Sequence, residues 1–373
     1  MNKKIEFLYL DEQDTIDAGV LDAQMCVDNA EEVFRLLGEG DYLMGSVTQN
    51  AHGMGLIFPE ESPFPNMPLA GPDRRFFSMV AYLGGRFDVC GNKWYGSNAE
   101  NKNKGLPRSV LTFTLNDKDT GEPICFMSAN LLSAARTGAV PGVAARHLVN
   151  EDAETVAVIG CGAINKACYH SIFSQMSGLK KVVCYDIFRE AGEAFLANSV
   201  REYGIDGTVT ENLQEALADT DVITFAASRI EPVFFEKEWI KKGATLIVSG
   251  PIHTTEEFWQ STNLIFDHVP FQENYVTEAK ASGDKEGYYA GVIGGPIYTL
   301  IDEGKLPPLE SFPNFGDIIL GKCEGRKSHD DIVTFITCGM AVFDVGLAYE
   351  LYCNAQERGL GEKLLLWDEP YQG

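Results

Sequence analysis

Two hydrophobic periodicities divide the chain near residue 150. Residues 4–10 (KIEFLYL) read as a strand. Residues 22–38 place Ala30, Val33, Phe34 and Leu37 on one helical face, and Gly38 supplies a stop. Residues 39–75 are rich in Gly, Pro and Asn, and 61–75 (ESPFPNMPLAGPDRR) reads as a long irregular loop. Phe64, Met67 and Leu69 suggest that this loop packs onto something. Strand-like runs follow at 76–85, 89–98, 109–117 and 123–129, with hairpin chemistry in DKDTGEP at 117–123. Four successive strands predict a mostly antiparallel sheet in an α+β front layer. Residues 130–148 read as helical, bent or split at Pro141 and Gly142.

Beyond this point strands and helices alternate. Strands are predicted at 155–160, 181–186, 207–211, 221–228, 244–250 and 263–269, with helices between them such as 188–204 and 212–219. Such βα units imply a parallel sheet with helices on both faces. Residues 290–304 read as a helix between glycine turns, and 330–359 as one long amphipathic helix.

Composition narrows the function. A net charge of −24 repels phosphate backbones and anionic lipid, which argues against nucleic-acid and membrane partners. No run of about 18 apolar residues is present to span a bilayer. The nine cysteines form no CxxC pair and the six histidines show no zinc-like spacing, so no metal is expected. The opening residues turn acidic too early for a signal peptide, and a reduced, cytoplasmic protein is the simplest reading.

Candidate chemistry begins at TVAVIGCGAINKACYHS (155–171). Gly160 permits a tight turn, Gly162 lets a pyrophosphate approach the backbone, and Asn165 stands where the third glycine of GxGxxG would be. The next helix presents free N–H groups and a positive dipole end. The following strand ends in Asp186, suited to ribose hydroxyls and repellent to a 2′-phosphate, which favours NAD, although Arg189 stands close by. Ala163, Ile164, Ala227, Ser228 and Thr137 complete the expected cofactor contacts. A second cluster is basic: Lys93 in GNKWYGSN, Arg136 in SAARTGAV, and Arg74 and Arg75 ending the long loop. These types suit a carboxylate, with an arginine gripping it bidentately. His253, at the C-terminal edge of a predicted parallel strand, is a candidate acid–base group.

The stretch from GNKWYGSN through GLP, DKDTGEP and SAARTGAV to AARHL closely resembles the ornithine cyclodeaminase/mu-crystallin family, as does TFITCGMAVFDVGLA at 334–348. The resemblance implies a Rossmann-type domain at 151–324 inserted into a smaller α+β substrate and dimerisation domain built from 1–150 and 325–373. It makes Lys93 the substrate-contacting, proton-handling lysine and Arg136 the carboxylate ligand. Arg74 or Arg75 becomes the candidate second carboxylate arginine. It implies a homodimer acting on a small amino or imino acid. One departure matters: cyclodeaminases of the family carry an aspartate after the strand that here reads LIVSGPIHTTEEF, and none stands between Thr245 and Phe258. That favours an amino-acid dehydrogenase or ketimine reductase over an ornithine or lysine cyclodeaminase, with Glu256 and Glu257 as possible stand-ins. An opine-type condensing enzyme and a non-catalytic nucleotide-binding protein are the further alternatives.

Overall fold

The computed structural model describes residues 4–227 and 232–371. The chain forms two compact units. The first takes in residues up to Leu36, Gly40–Arg136 and Gly339 onward; the second takes in Leu37–Glu39 and Thr137–Cys338. The sequence places the domain borders at 150/151 and 324/325. The helix Asn130–Leu148 is continuous across the Arg136/Thr137 border, and Pro141 does not split it. Its residues Ala139–Ala145 are nearly all buried, and that burial outweighs the roughly 3 kcal/mol local cost of an interior proline.

The first unit is built on an eight-stranded sheet. Its spatial order is Glu362–Trp367, Ile5–Leu10, Pro123–Ser128, Ser109–Asp117, Val89–Ser97, Arg75–Leu83 and Tyr42–Met44, with Met54–Ile57 also pairing with Arg75–Leu83. The four expected strands are antiparallel neighbours. Residues 39–75 contribute two short strands that glycine-rich composition concealed, and Glu362–Trp367 adds an edge. The inner face carries a buried cross-strand row of Met79, Lys93, Phe113 and Met127. Helix Ala341–Arg358 lies over it, with Phe343 meeting Phe34 edge-on and Gly346 allowing close approach of Val33 and Leu83. Phe64, Met67 and Leu69 of the long loop remain exposed rather than packed.

The second unit holds a seven-stranded, all-parallel sheet in the order Asp206–Thr210, Lys181–Tyr185, Thr155–Ile159, Val222–Phe225, Thr245–Val248, Val333–Ile336 and Asn263–Phe266. Val333–Ile336 corrects the reading of 330–359 as a single helix, because the helix begins only at Ala341. All four strand residues are buried, and a short run that is apolar on both faces carries no period to separate strand from helix. Among the described residues, no helix is long and apolar enough to cross a membrane.

Candidate active site

In the first unit, strand alternation turns Lys93 into the core, where a charge demands a partner. The partner is Asp344, fully buried on helix Ala341–Arg358. Lys93 Nζ donates to both carboxylate oxygens at 2.9 Å and to Ser133 Oγ at 3.2 Å. Arg136 stands three residues after Ser133, on the same helical face, and its Nε donates to Asp344 Oδ1 at 3.1 Å. Two cations thus share one carboxylate, and the buried cluster keeps a net positive charge. Burial, aided by the neighbouring Arg136, pushes the Lys93 ammonium down to about 8 against the pull of Asp344.

The fourth member is His52, whose Nδ1 lies 2.6 Å from the Gly339 carbonyl oxygen. A Cβ built on Gly339 would lie 3.1 Å from Arg136 Nη1 and 3.4 Å from His52 Cε1, so guanidinium and imidazole converge over this glycine. Burial pushes His52 down to about 4, reinforced by Lys93 and Arg136 and opposed by the Gly339 carbonyl and Asp344.

The structure separates the two candidate loop arginines from this group. Arg74 donates to the Leu69 carbonyl at 3.1 Å, within its own loop. Arg75 shares the inner face with Lys93 but pairs with Asp73 at 3.0 Å and lies over the Phe77 ring, which in turn meets His52 edge-on. Sequence reasoning missed both His52 and Asp344. Asp344 had a signal, as the one charge in the run CGMAVFDVGLA. His52 had none, since its partner lies 287 residues away.

In the second unit, strand Thr155–Ile159 leads through Gly160 to helix Ala163–Gln175. Gly160 has a φ of +88°, and a Cβ there would collide with Ala227 at 2.7 Å. Gly162 caps the helix without a side-chain bond, and a Cβ on it would meet nothing within 4 Å. With Ala163 and Ile164 also exposed, the helix start is open to a pyrophosphate. Asp186 receives the Cys161 N–H at 2.7 Å and the Phe188 N–H at 3.0 Å, which fixes its carboxylate at the turn. Exposed Ile187 and Phe188, also missed from sequence, add an apolar surface beside it suited to a flat base. Arg189 pairs with Glu193 at 2.8 Å and faces Glu211 at 3.8 Å on the exposed surface.

Asn165 has a different task from the expected cofactor contact. It is fully buried, its amide donates to the carbonyls of Ile159, Gly160 and Thr224, and its oxygen accepts from Thr224 Oγ1 at 2.7 Å. It fastens the turn to the neighbouring strand. Thr137 precedes Gly138, whose missing Cβ lets the helix approach the Ala167 backbone. His253 is exposed on a short strand opposite Phe234, and Ser228 lies outside the described residues.

A sequence profile of the ornithine cyclodeaminase/mu-crystallin family matches residues 21–359. The chain belongs to this family. N-((2S)-2-amino-2-carboxyethyl)-L-glutamate dehydrogenase of Staphylococcus aureus is 28% identical over 367 residues, covering 97% of this chain and 99% of that protein. Delta(1)-pyrroline-2-carboxylate reductase of Bacillus cereus is 30% identical over 266 residues, covering 71% of this chain and 77% of that protein. The structure of Thermococcus litoralis Delta(1)-pyrroline-2-carboxylate reductase, with NADH and L-proline, superposes with a TM-score of 0.77 at 21% identity. It covers 96% of this chain and 100% of that one. The family fold therefore extends over nearly the whole molecule.

Proposed function

We propose that this member of the family is an NAD-linked oxidoreductase acting at the α-carbon of an amino or imino acid. The observation that carries this reading is the buried Lys93–Asp344–Arg136 cluster, whose one surplus positive charge a single substrate carboxylate would neutralise. Bound NAD supplies the hydride chemistry. Gly160, Gly162, Ala163 and Ile164 would hold its pyrophosphate, and Asp186 its ribose. Arg136 orients the substrate carboxylate through its terminal nitrogens. Lys93, with a pKa near neutrality, passes a proton to or from the substrate nitrogen.

An oxidoreductase fits better than a cyclodeaminase. The two acids nearest the absent aspartate are engaged elsewhere: Glu256 with Lys305 at 2.9 Å and Glu257 with Lys237 at 3.0 Å. The S. aureus relative is named as a dehydrogenase of an N-substituted amino acid, so secondary amines belong among the candidate substrates. A homodimer is supported by the outer face of the first sheet, where Leu43, Val80, Trp94 and Val110 are all exposed on one side. Nine free cysteines suit a reducing, cytoplasmic setting.

The test incubates the protein with NAD and a panel of L-amino acids and N-carboxyalkyl amino acids, following NADH absorbance and ammonia together. NADH formation with either kind of substrate supports the proposal. Ammonia without net NADH would instead make the protein a cyclodeaminase.

A further inference from the structure

We propose that Arg75 binds a second carboxylate, at the far end of the amino or imino acid whose α-carboxylate rests on Arg136, and that the substrates are therefore dicarboxylic. This rests on the functional reading above and adds to it the class of side chain. Strand alternation sets the geometry. In strand Arg75–Leu83, residues Arg75, Phe77 and Met79 share the inner face, and Met79 pairs with Lys93. The row of Met79, Lys93 and Phe113 is fully buried. One row on, Phe77 pairs with Tyr95 and both are only half-buried. Arg75 follows, with 43% of its side chain exposed. At about 3.3 Å per residue its backbone stands ~13 Å beyond Met79. Its guanidinium carbon lies 5.2 Å from the centre of the Phe77 ring, so the side chain leans back towards Lys93 and shortens the gap between the charges. The contacts run without a break from one arginine to the other. Arg136 and His52 converge over Gly339, His52 meets Phe77 edge-on, and Phe77 lies beneath Arg75.

Charge points the same way. Acidic residues outnumber Lys and Arg by 54 to 30, yet here Arg75 and Arg108 share one carboxylate, Asp73. Among the described residues, neither arginine has another acid in ion-pair range, so this end of the sheet keeps a surplus positive charge. Asp73 is held in place without Arg75. Its carboxylate takes Arg108 Nε at 2.6 Å, and its backbone carbonyl takes Ser97 Oγ at 2.7 Å. Arg75 Nε is buried 3.0 Å from Asp73 but forms no aligned hydrogen bond, which leaves the exposure to the stem and the terminal nitrogens. Those nitrogens form the flat fork that a carboxylate fits. Stacking on Phe77 holds the fork in one place, so binding costs little further ordering.

The experiment measures binding of succinate, glutarate and adipate, each against its monoamide, to the NADH-loaded protein by calorimetry. The members of each pair differ only in the charge at one end. Wild type should prefer the best-fitting dicarboxylate over its monoamide by about tenfold, the worth of one charge-assisted hydrogen bond. Arg75→Met and Arg75→Gln leave Asp73 with Arg108, and each should reduce the preference to about twofold, the statistical advantage of two identical ends. Arg75→Lys should keep part of the preference and Arg74→Met all of it. A wild-type Tm shows that each variant is folded. Dicarboxylates that bind wild type no better than their monoamides, or a preference that survives in Arg75→Met and Arg75→Gln, overturn the role of Arg75 and leave the α-carboxylate site standing. Failure of every probe to bind wild type, or undiminished binding in Arg136→Met, overturns the α-carboxylate site and this assignment with it.

Discussion

Replacing Asp344 by asparagine keeps its shape and removes the charge that holds the cluster together. Asp344 is fully buried and receives Lys93 at 2.9 Å on both oxygens and Arg136 at 3.1 Å. An amide offers one acceptor and turns an N–H₂ toward a cation. Breaking a buried pair in this way costs about 3–5 kcal/mol. Lys93 can recover part of it by losing its proton. With Asp344 present it already titrates near 8 against an ordinary 10.5, a shift of about 3 kcal/mol. Arg136 has no such escape. The net loss is about 2–3 kcal/mol, a fall of about 3–4 °C in Tm for a chain of 373 residues.

Thermal unfolding across pH would follow it. Lys93 has a lowered folded pKa, so wild-type stability rises as pH climbs from about 8 to 10.5, where the unfolded lysine still holds the proton the folded one has released. In Asp344→Asn that rise should begin at lower pH. The triple variant Lys93→Met/Arg136→Met/Asp344→Leu, which strands no buried charge, should regain stability over the single one while showing no turnover. Wild-type Tm and activity in Asp344→Asn, or a triple variant no more stable than the single one, would refute the reasoning.

The other expectations concern pH, the turn and the cofactor. The kcat/KM for amino-acid oxidation should rise through a pKa of about 8 and the reverse reaction should fall through it, as pH–rate profiles in both directions would reveal. Asp267, at the end of strand Asn263–Phe266, accepts from Cys338 N at 2.5 Å and His268 N at 2.7 Å, yet burial pushes it up to about 7. A raised carboxylate keeps its proton longer when folded, so it lowers stability as pH rises from about 4 to 7, and Asp267→Asn should flatten that slope in denaturant titrations. Asn165→Gly completes the glycine motif but deletes buried hydrogen bonds, so Tm should drop by about 5 °C with NADH affinity little changed. Asp186→Ser should raise the Kd for NADH about tenfold and narrow its advantage over NADPH, read by fluorescence titration.

Much of the architecture was legible in local pattern. The strand at Thr155–Ile159, the glycine turn and Asp186 could be read because each is a short stretch whose period or spacing carries the signal. Lys93 and Arg136 were legible as charges among small and apolar neighbours, and the family motifs named them. Val333–Ile336 was misread because a fully buried run has no period, and its place between two other strands is a fact of the sheet.

By itself the sequence determined most of the elements and which residue types could bind a nucleotide and a carboxylate. Only the tertiary structure decided how the charges are balanced. Lys93 meets Asp344 across 251 positions and His52 meets Gly339 across 287. Burying a charge is tolerable only beside its partner, and that partner is chosen by how a helix from the end of the chain settles on a sheet from its beginning. No local pattern encodes that choice, which is why Asp344 and His52 join Lys93 and Arg136 only in the folded chain.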